Sequence, residues 1–352
     1  MKTKKMIVSK AFSIIAFLFG CIGLVSVVAL DKLYWSTWVF EEGWPKFSIG
    51  YSFRSFIIFA SILAIIKSSL GFAKPRLILD ESNGLPLERL SIFGMLLVSV
   101  IIVFLFVFRP SVFNELSWED GPVEWASALL LFVGCIVTIV SLFKSRNILN
   151  IPKFTQFSLA LLSLLFFVTA MEEVSWFQRW LKFETPKAFY GNYQREINFH
   201  NFATNEFENI YYFGVFLFLV ALPYVRSMFP FVSNSNYLRI FVPRPFVSVI
   251  GSIPCAYNFD MWNVVFTQIA FFSSVIILFA YVVFSSKRSD INTILFTIFV
   301  IVATQILFLT NGENFDPFWA VTEYKELLIP MVLLIYSLNV LTYINRVCLP
   351  EK

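Results

Sequence analysis

Nine separate runs of apolar residues, each about as long as a bilayer is thick, dictate what this chain can fold into. They lie at about 11–30, 55–73, 90–108, 124–143, 156–172, 210–226, 263–285, 291–310 and 326–345. A span needs about 20 predominantly apolar residues in helical form. The runs are continuous and do not alternate with period two, which excludes a transmembrane barrel. Charged residues make up only 14% of the chain, against about 25% in a soluble domain, and mean hydropathy is +0.75. A soluble enzyme, a nucleic-acid binder and a disordered scaffold are thereby excluded. The expected partner is the lipid bilayer; protein partners are left open.

A tenth stretch, 237–258, carries Arg239, Pro243, Arg244, Pro245 and Pro254 and does not read as a clean helix. It is expected to be a broken span or a re-entrant hairpin. Counting it as a crossing, with the N-terminus in the cytoplasm, places eighteen of the 27 basic residues inside and eighteen of the 23 acids outside. The Lys/Arg bias follows the positive-inside rule. Without that crossing, Lys287, Arg288 and Arg346 would move outside. The expectation is an all-α polytopic membrane protein of about ten spans, one integral membrane domain over 1–352. Both termini are then cytoplasmic and the location is the inner (plasma) membrane. The basic start, Lys2 to Lys10, leads into an apolar run with no small-residue cleavage site, so it is taken as a first span and not a signal peptide.

Asp and Glu barely influence topology, so their one-sidedness needs another cause. Three acidic groups lie at span boundaries: Glu119, Asp120 and Glu124 before the fourth span, Glu172 and Glu173 at the end of the fifth, and Glu323 and Glu326 at the start of the last. The first and third groups suit helix N-termini, where acids favour the dipole. Glu172 and Glu173 do not, because they close a helix and repel each other. Ionisable residues at membrane depth are costly and mark function by default. Helical spacing would put Glu172 in line with Arg179, as an ion pair, and leave Glu173 facing a cavity shared with the other acids.

Residues 174–209 form the longest exterior stretch and are expected to fold over the outer helix ends. Within it Asn192, Gln194, Glu196, Asn198 and His200 occupy alternate positions. An extended chain would put all five on one face; a helix would put Glu196 and His200 together. One histidine in the chain excludes mechanisms that need two or three. The four cysteines show no zinc or disulfide spacing.

Glu-Asp-Gly-x-x-Glu at 119–124, Glu-Glu-x-x-Trp-x-Gln-Arg at 172–179, Thr-Pro at 185–186 and Asn-x-Gln-x-Glu-x-Asn-x-His-Asn at 192–201 resemble a pattern in uncharacterised multi-pass membrane proteins of bacteria. That resemblance implies a shared grouping of motifs and no chemistry. The CAAX-type intramembrane proteases use Glu-Glu-x-x-x-Arg, which would put arginine at Phe177, and they need a second histidine, so the chain departs from them.

Three functional readings follow. In an enzyme, Glu173 or Glu172 is the base and His200 the acid or orienter. Gln178, Arg179, Asn192, Gln194, Glu196, Asn198, Glu119, Asp120, Glu124, Glu323 and Glu326 then bind an amphipathic or lipid-linked substrate. In a cation or proton transporter the same acids collect the ion, with Asn263, Gln268, Thr293, Thr297, Thr304, Gln305 and Asn339 along a path. In a non-catalytic assembly protein the acids are structural. Metal and cofactor are left open.

Overall fold

The computed structural model describes residues 2–77, 79, 87–146, 151–192 and 194–348, with side chains from Lys10 to Arg346, His200 excepted. The protein is 77% helical, and the described residues contain no strand. Among the described residues nine helices are long and apolar enough to cross a bilayer. They are α1 (Lys2–Tyr34), α2 (Ile49–Leu70), α3 (Leu87–Phe108), α4 (Pro122–Ser145), α5 (Lys153–Glu173), α6 (Thr204–Met228), α7 (Val265–Phe284), α8 (Arg288–Thr310) and α9 (Ala320–Cys348). An all-α multi-pass membrane protein is therefore what the chain folds into. In lipid every backbone polar group must be satisfied within its own segment, which is why apolar runs of this length are helices.

The tenth stretch is broken. Leu238–Phe241 and Pro245–Gly251 are short helices, Pro254–Ala256 is a single 3-10 turn, and 257–264 is irregular. Phe246 to Gly251 and Tyr257 to Met261 are buried throughout. Non-helical backbone in a membrane protein survives where protein covers it.

The chain divides into two compact units. The first comprises 1–96, 209–229 and 244–313. In it α1 packs on α2, and α7 packs on α2 and α8. Asp31 near the end of α1 accepts both Nε and Nη2 of Arg54 on α2 at 2.6 Å, in a pair almost wholly buried. A bidentate Arg–carboxylate fork is the strong form of this interaction. The irregular 257–264 segment is tied to α8 by Asn258 and Gln305, each amide donating to the other residue's carbonyl oxygen at 3.0 and 2.7 Å.

The second unit comprises 97–208, 230–243 and 314–352. Its centre is α4, flanked by α5 and α9. The buried face of α4 reads Ser127, Ala128, Leu131, Gly134, Cys135, Thr138, Ser141 and Ser145, at helical spacing. Small residues let membrane helices approach closely. A Cβ on Gly134 would lie 3.2 Å from the ring of Phe166 on α5, so the helices meet where only glycine fits easily. Ser163 donates to Thr138 across the same interface at 2.9 Å, and Ser127 donates to the Glu326 carbonyl of α9 at 3.1 Å. Such interhelical bonds contribute about 0.6 kcal/mol each on average. This packing brings together the start of α4, the end of α5 and the start of α9, and with them the three acidic groups.

Candidate functional site

The second unit holds two layers of polar residues at that end. The first is a knot in which acids, amides and one arginine satisfy each other. It begins where α5 stops. Ser175, Trp176 and Phe177 take positive φ of 44°, 54° and 61°, three left-handed residues in a row with no glycine among them. Each costs about 1–2 kcal/mol. This turn throws the chain off the α5 axis, so Arg179 leaves the face of Glu172. Here the structure departs from the helical expectation: no Glu172–Arg179 pair forms. Glu172 instead accepts Trp176 Nε1 at 2.8 Å and the backbone N–H of Phe199 at 2.5 Å.

Arg179 donates Nη1 to Asp120 at 2.5 Å and Nη2 to Glu119 at 3.2 Å, and it forms an ion pair with Glu196. Partial burial works against its charge. The hydrogen bond to Asp120, the charge of Glu196 and the hydrogen bond to Glu119 more than offset that, so the guanidinium is held above its ordinary range. Asp120 reaches the arginine because its own φ is 58°, a left-handed conformation that aspartate tolerates. The Asp120 N–H donates to Glu124 at 2.5 Å, fixing the start of α4.

Residues 192 and 194–199 are neither strand nor helix. Its alternation splits. Asn192, Glu196 and Asn198 are buried, whereas Gln194 is half-buried and reaches outward. Ser175 donates to Glu196, Asn198 donates to Ser175 at 3.2 Å, and Asn192 brackets Glu196 by donating to its carbonyl and accepting its N–H at 2.6 and 3.0 Å. Gln178 accepts the Ile197 N–H at 2.7 Å and donates to Thr185 at 2.9 Å. Gln194 donates to Glu119 at 2.7 Å and accepts from Asn201. His200 opens a 3-10 turn, His200–Phe202, and its side chain lies outside the described residues.

The second layer is a carboxylate centre. Glu173 lies within electrostatic range of Glu326, Glu124 and Glu208, and Glu323 within range of Glu326, Glu124, Glu173 and Glu119. Four helix ends thus contribute acids, with α6 supplying Glu208, which sequence reasoning did not single out. Its only sequence signal was a place in the first turns of a span. Among the described residues neither Glu173 nor Glu323 has a hydrogen-bonding or ion-paired partner. Glu323 sits in the first turn of α9, where the dipole favours it; Glu173 closes α5, where the dipole does not. Among the described residues no three of His, Cys, Asp or Glu converge closely enough to hold a metal ion.

The residues placed on an ion path divide otherwise. Asn263 belongs to a cavity of the first unit, Gln268 and Gln305 are buried there, and the hydroxyls of Thr293 and Thr297 bond their own helix. Fold and geometry together define a polytopic helical membrane protein in which carboxylates from several helix ends lie within electrostatic range of one another. No family model, curated protein or solved structure matches the chain.

Proposed function

We propose that this protein is an acid–base enzyme acting on an amphipathic, lipid-anchored substrate at the outer face of the plasma (inner) membrane. Glu173 is the base, Glu323 is the second carboxylate of the reaction, and both termini are cytoplasmic. One observation carries this reading: among the described residues Glu173 has no hydrogen-bonding or ion-paired partner, although it lies among carboxylates and at the unfavourable end of a helix. A carboxyl group kept in that position at a cost of stability is what a reacting group needs. The knot residues Glu119, Asp120, Glu172, Gln178, Arg179, Asn192, Gln194, Glu196 and Asn198 spend their hydrogen bonds on each other. Their role in this account is to hold the loop over the centre, with His200 at its edge as acid or orienter.

The test compares total lipid and lipid-linked glycan extracts, by mass spectrometry, from cells lacking the protein and cells carrying the wild type or Glu173→Gln at equal membrane levels. At least one amphipathic species should be consumed with the wild type and accumulate with the variant. Identical profiles in all three would sink the proposal.

A second reading, passage of a cation or proton, rests on the same carboxylates, since the buried hydroxyls of Thr138, Ser141 and Ser145 on α4 bond carbonyls of their own helix. It predicts that proteoliposomes carrying the wild type, and not Glu173→Gln, dissipate an imposed pH gradient.

A further inference from the structure

The first unit contains a cavity of about 410 Å³ between the end of α1 and the start of α2. That lies within the ~300–1,000 Å³ of small-ligand sites. Its wall includes Trp38, Trp44, Tyr51, Glu41, Lys46 and Asn263. Trp38 and Trp44 are 60% and 59% exposed. Tryptophans at a membrane boundary are ordinarily an interfacial belt. A belt residue needs no fixed loop, and this loop is fixed.

The 37–46 segment has no regular structure, yet polar groups at 209, 260 and 263 pin it from three directions. Gly43, at φ 145°, donates its N–H to the Asp260 carbonyl at 2.8 Å. Asn263 accepts the Lys46 N–H at 3.0 Å and donates to the Trp44 carbonyl at 2.8 Å. Asn209, buried on α6, donates to the Glu42 carboxylate at 3.0 Å. Glu41 accepts the Trp38 N–H at 3.1 Å. Preorganising an exposed loop lowers the ordering cost of a ligand.

The charges select the ligand class. Lys46 Nζ already lies over the Tyr51 ring at 5.3 Å, and the Arg54 guanidinium lies 5.3 Å from the same ring. An organic cation would compete with these residues for that face. Glu41 and Glu42 repel an anion. A neutral polyhydroxylated ring remains. Its C–H face lies on an indole, and its hydroxyls meet carboxylates, an amide and an ammonium.

We infer that this cavity is a saccharide-binding site, taking one or two neutral sugar rings, free or carried on a lipid. This inference is independent of the carboxylate centre. The test uses the full chain in nanodiscs, labelled with 5-fluorotryptophan, and reads its nine tryptophans by fluorine NMR. Trp38→Phe and Trp44→Phe assign two of the resonances. The probes are three disaccharides (maltose, lactose and chitobiose), dodecyl maltoside in the bilayer, choline and inorganic phosphate.

A sugar should shift those two resonances saturably and leave the others unmoved, and Glu41→Gln should weaken binding about tenfold. A shift with free disaccharide identifies a soluble source; a shift with dodecyl maltoside alone identifies a lipid-borne one. No saturable shift with any sugar would overturn the inference, as would a shift with choline or phosphate alone, or equal binding by Glu41→Gln and wild type.

Discussion

Glu172 and Glu173 are neighbours in the chain with opposite surroundings. Glu172 accepts the indole N–H of Trp176 at 2.8 Å and the Phe199 N–H at 2.5 Å. Glu173, one residue on and about 100° around the helix, has no hydrogen-bonding partner among the described residues, and the charged groups within range of it are the carboxylates of Glu326, Glu124 and Glu208. The two positions should therefore separate stability from function. Glu172→Gln keeps one acceptor oxygen and turns an amide N–H₂ toward a donor. It should lower stability by about 1–3 kcal/mol and open 174–203 to protease. Glu173→Gln should leave folded yield unchanged or raise it. The comparison is thermal unfolding and limited proteolysis of both variants in the same detergent.

Arg179 binds three acids, and they differ in burial. Glu119 and Asp120 are about half exposed, whereas the Glu196 side chain is 9% exposed. Exposed pairs contribute about 0–1 kcal/mol, while stripping the partner from a buried charge costs up to about 3–5 kcal/mol. Glu119→Gln should thus be nearly silent. Arg179→Met should cost several times more, and Glu196→Gln added to it should recover part of the loss. Unfolding midpoints for the three variants decide this.

Lys182 is exposed at φ 55°, a conformation only glycine adopts without penalty. Lys182→Gly should raise stability by up to about 1 kcal/mol. A loss of stability would mean that the loop does not follow this path.

Gly134 tests the packing that brings the acids together. Gly134→Ala asks Phe166 to yield a few tenths of an ångström and should cost little. Gly134→Leu must push α5 off α4, at about 1–3 kcal/mol or more of overpacking. It should also impair function, because Glu124 and Glu173 ride on those two helices. Melting temperature and functional complementation of the two variants should fall together only for leucine.

Reporter fusions test the orientation that the Lys/Arg bias implies. Fusions at 80, 148 and 288 should read cytoplasmic, and fusions at 115, 190 and 315 exterior. An exterior signal at 288 would remove the crossing at 237–258 and, with it, the placement of both termini on one side.

All nine spans were legible, since an apolar run of bilayer length has one structural outcome. The acidic motifs were legible as a group for a similar reason: acids at a lipid boundary are costly alone. The partner of Arg179 was not. It depends on three left-handed residues at Ser175–Phe177, and nothing in Ser-Trp-Phe signals that conformation where glycine or asparagine would have. The halves of the 192–201 alternation were also illegible. Its bends follow from bonds to Ser175 and Gln178, distant in sequence. The path of the 43–46 segment was illegible too, because its fixing bonds come from Asp260 and Asn263, more than two hundred residues away.

The most direct test of the carboxylate centre uses purified protein in nanodiscs with extracted membrane lipids, comparing wild type, Glu173→Gln and Glu323→Gln. Conversion of an amphipathic lipid is read by mass spectrometry and folded state by unfolding midpoint. The account predicts conversion by the wild type and none by either variant, with both variants at least as stable as the parent. Conversion by Glu173→Gln at the wild-type rate would contradict it.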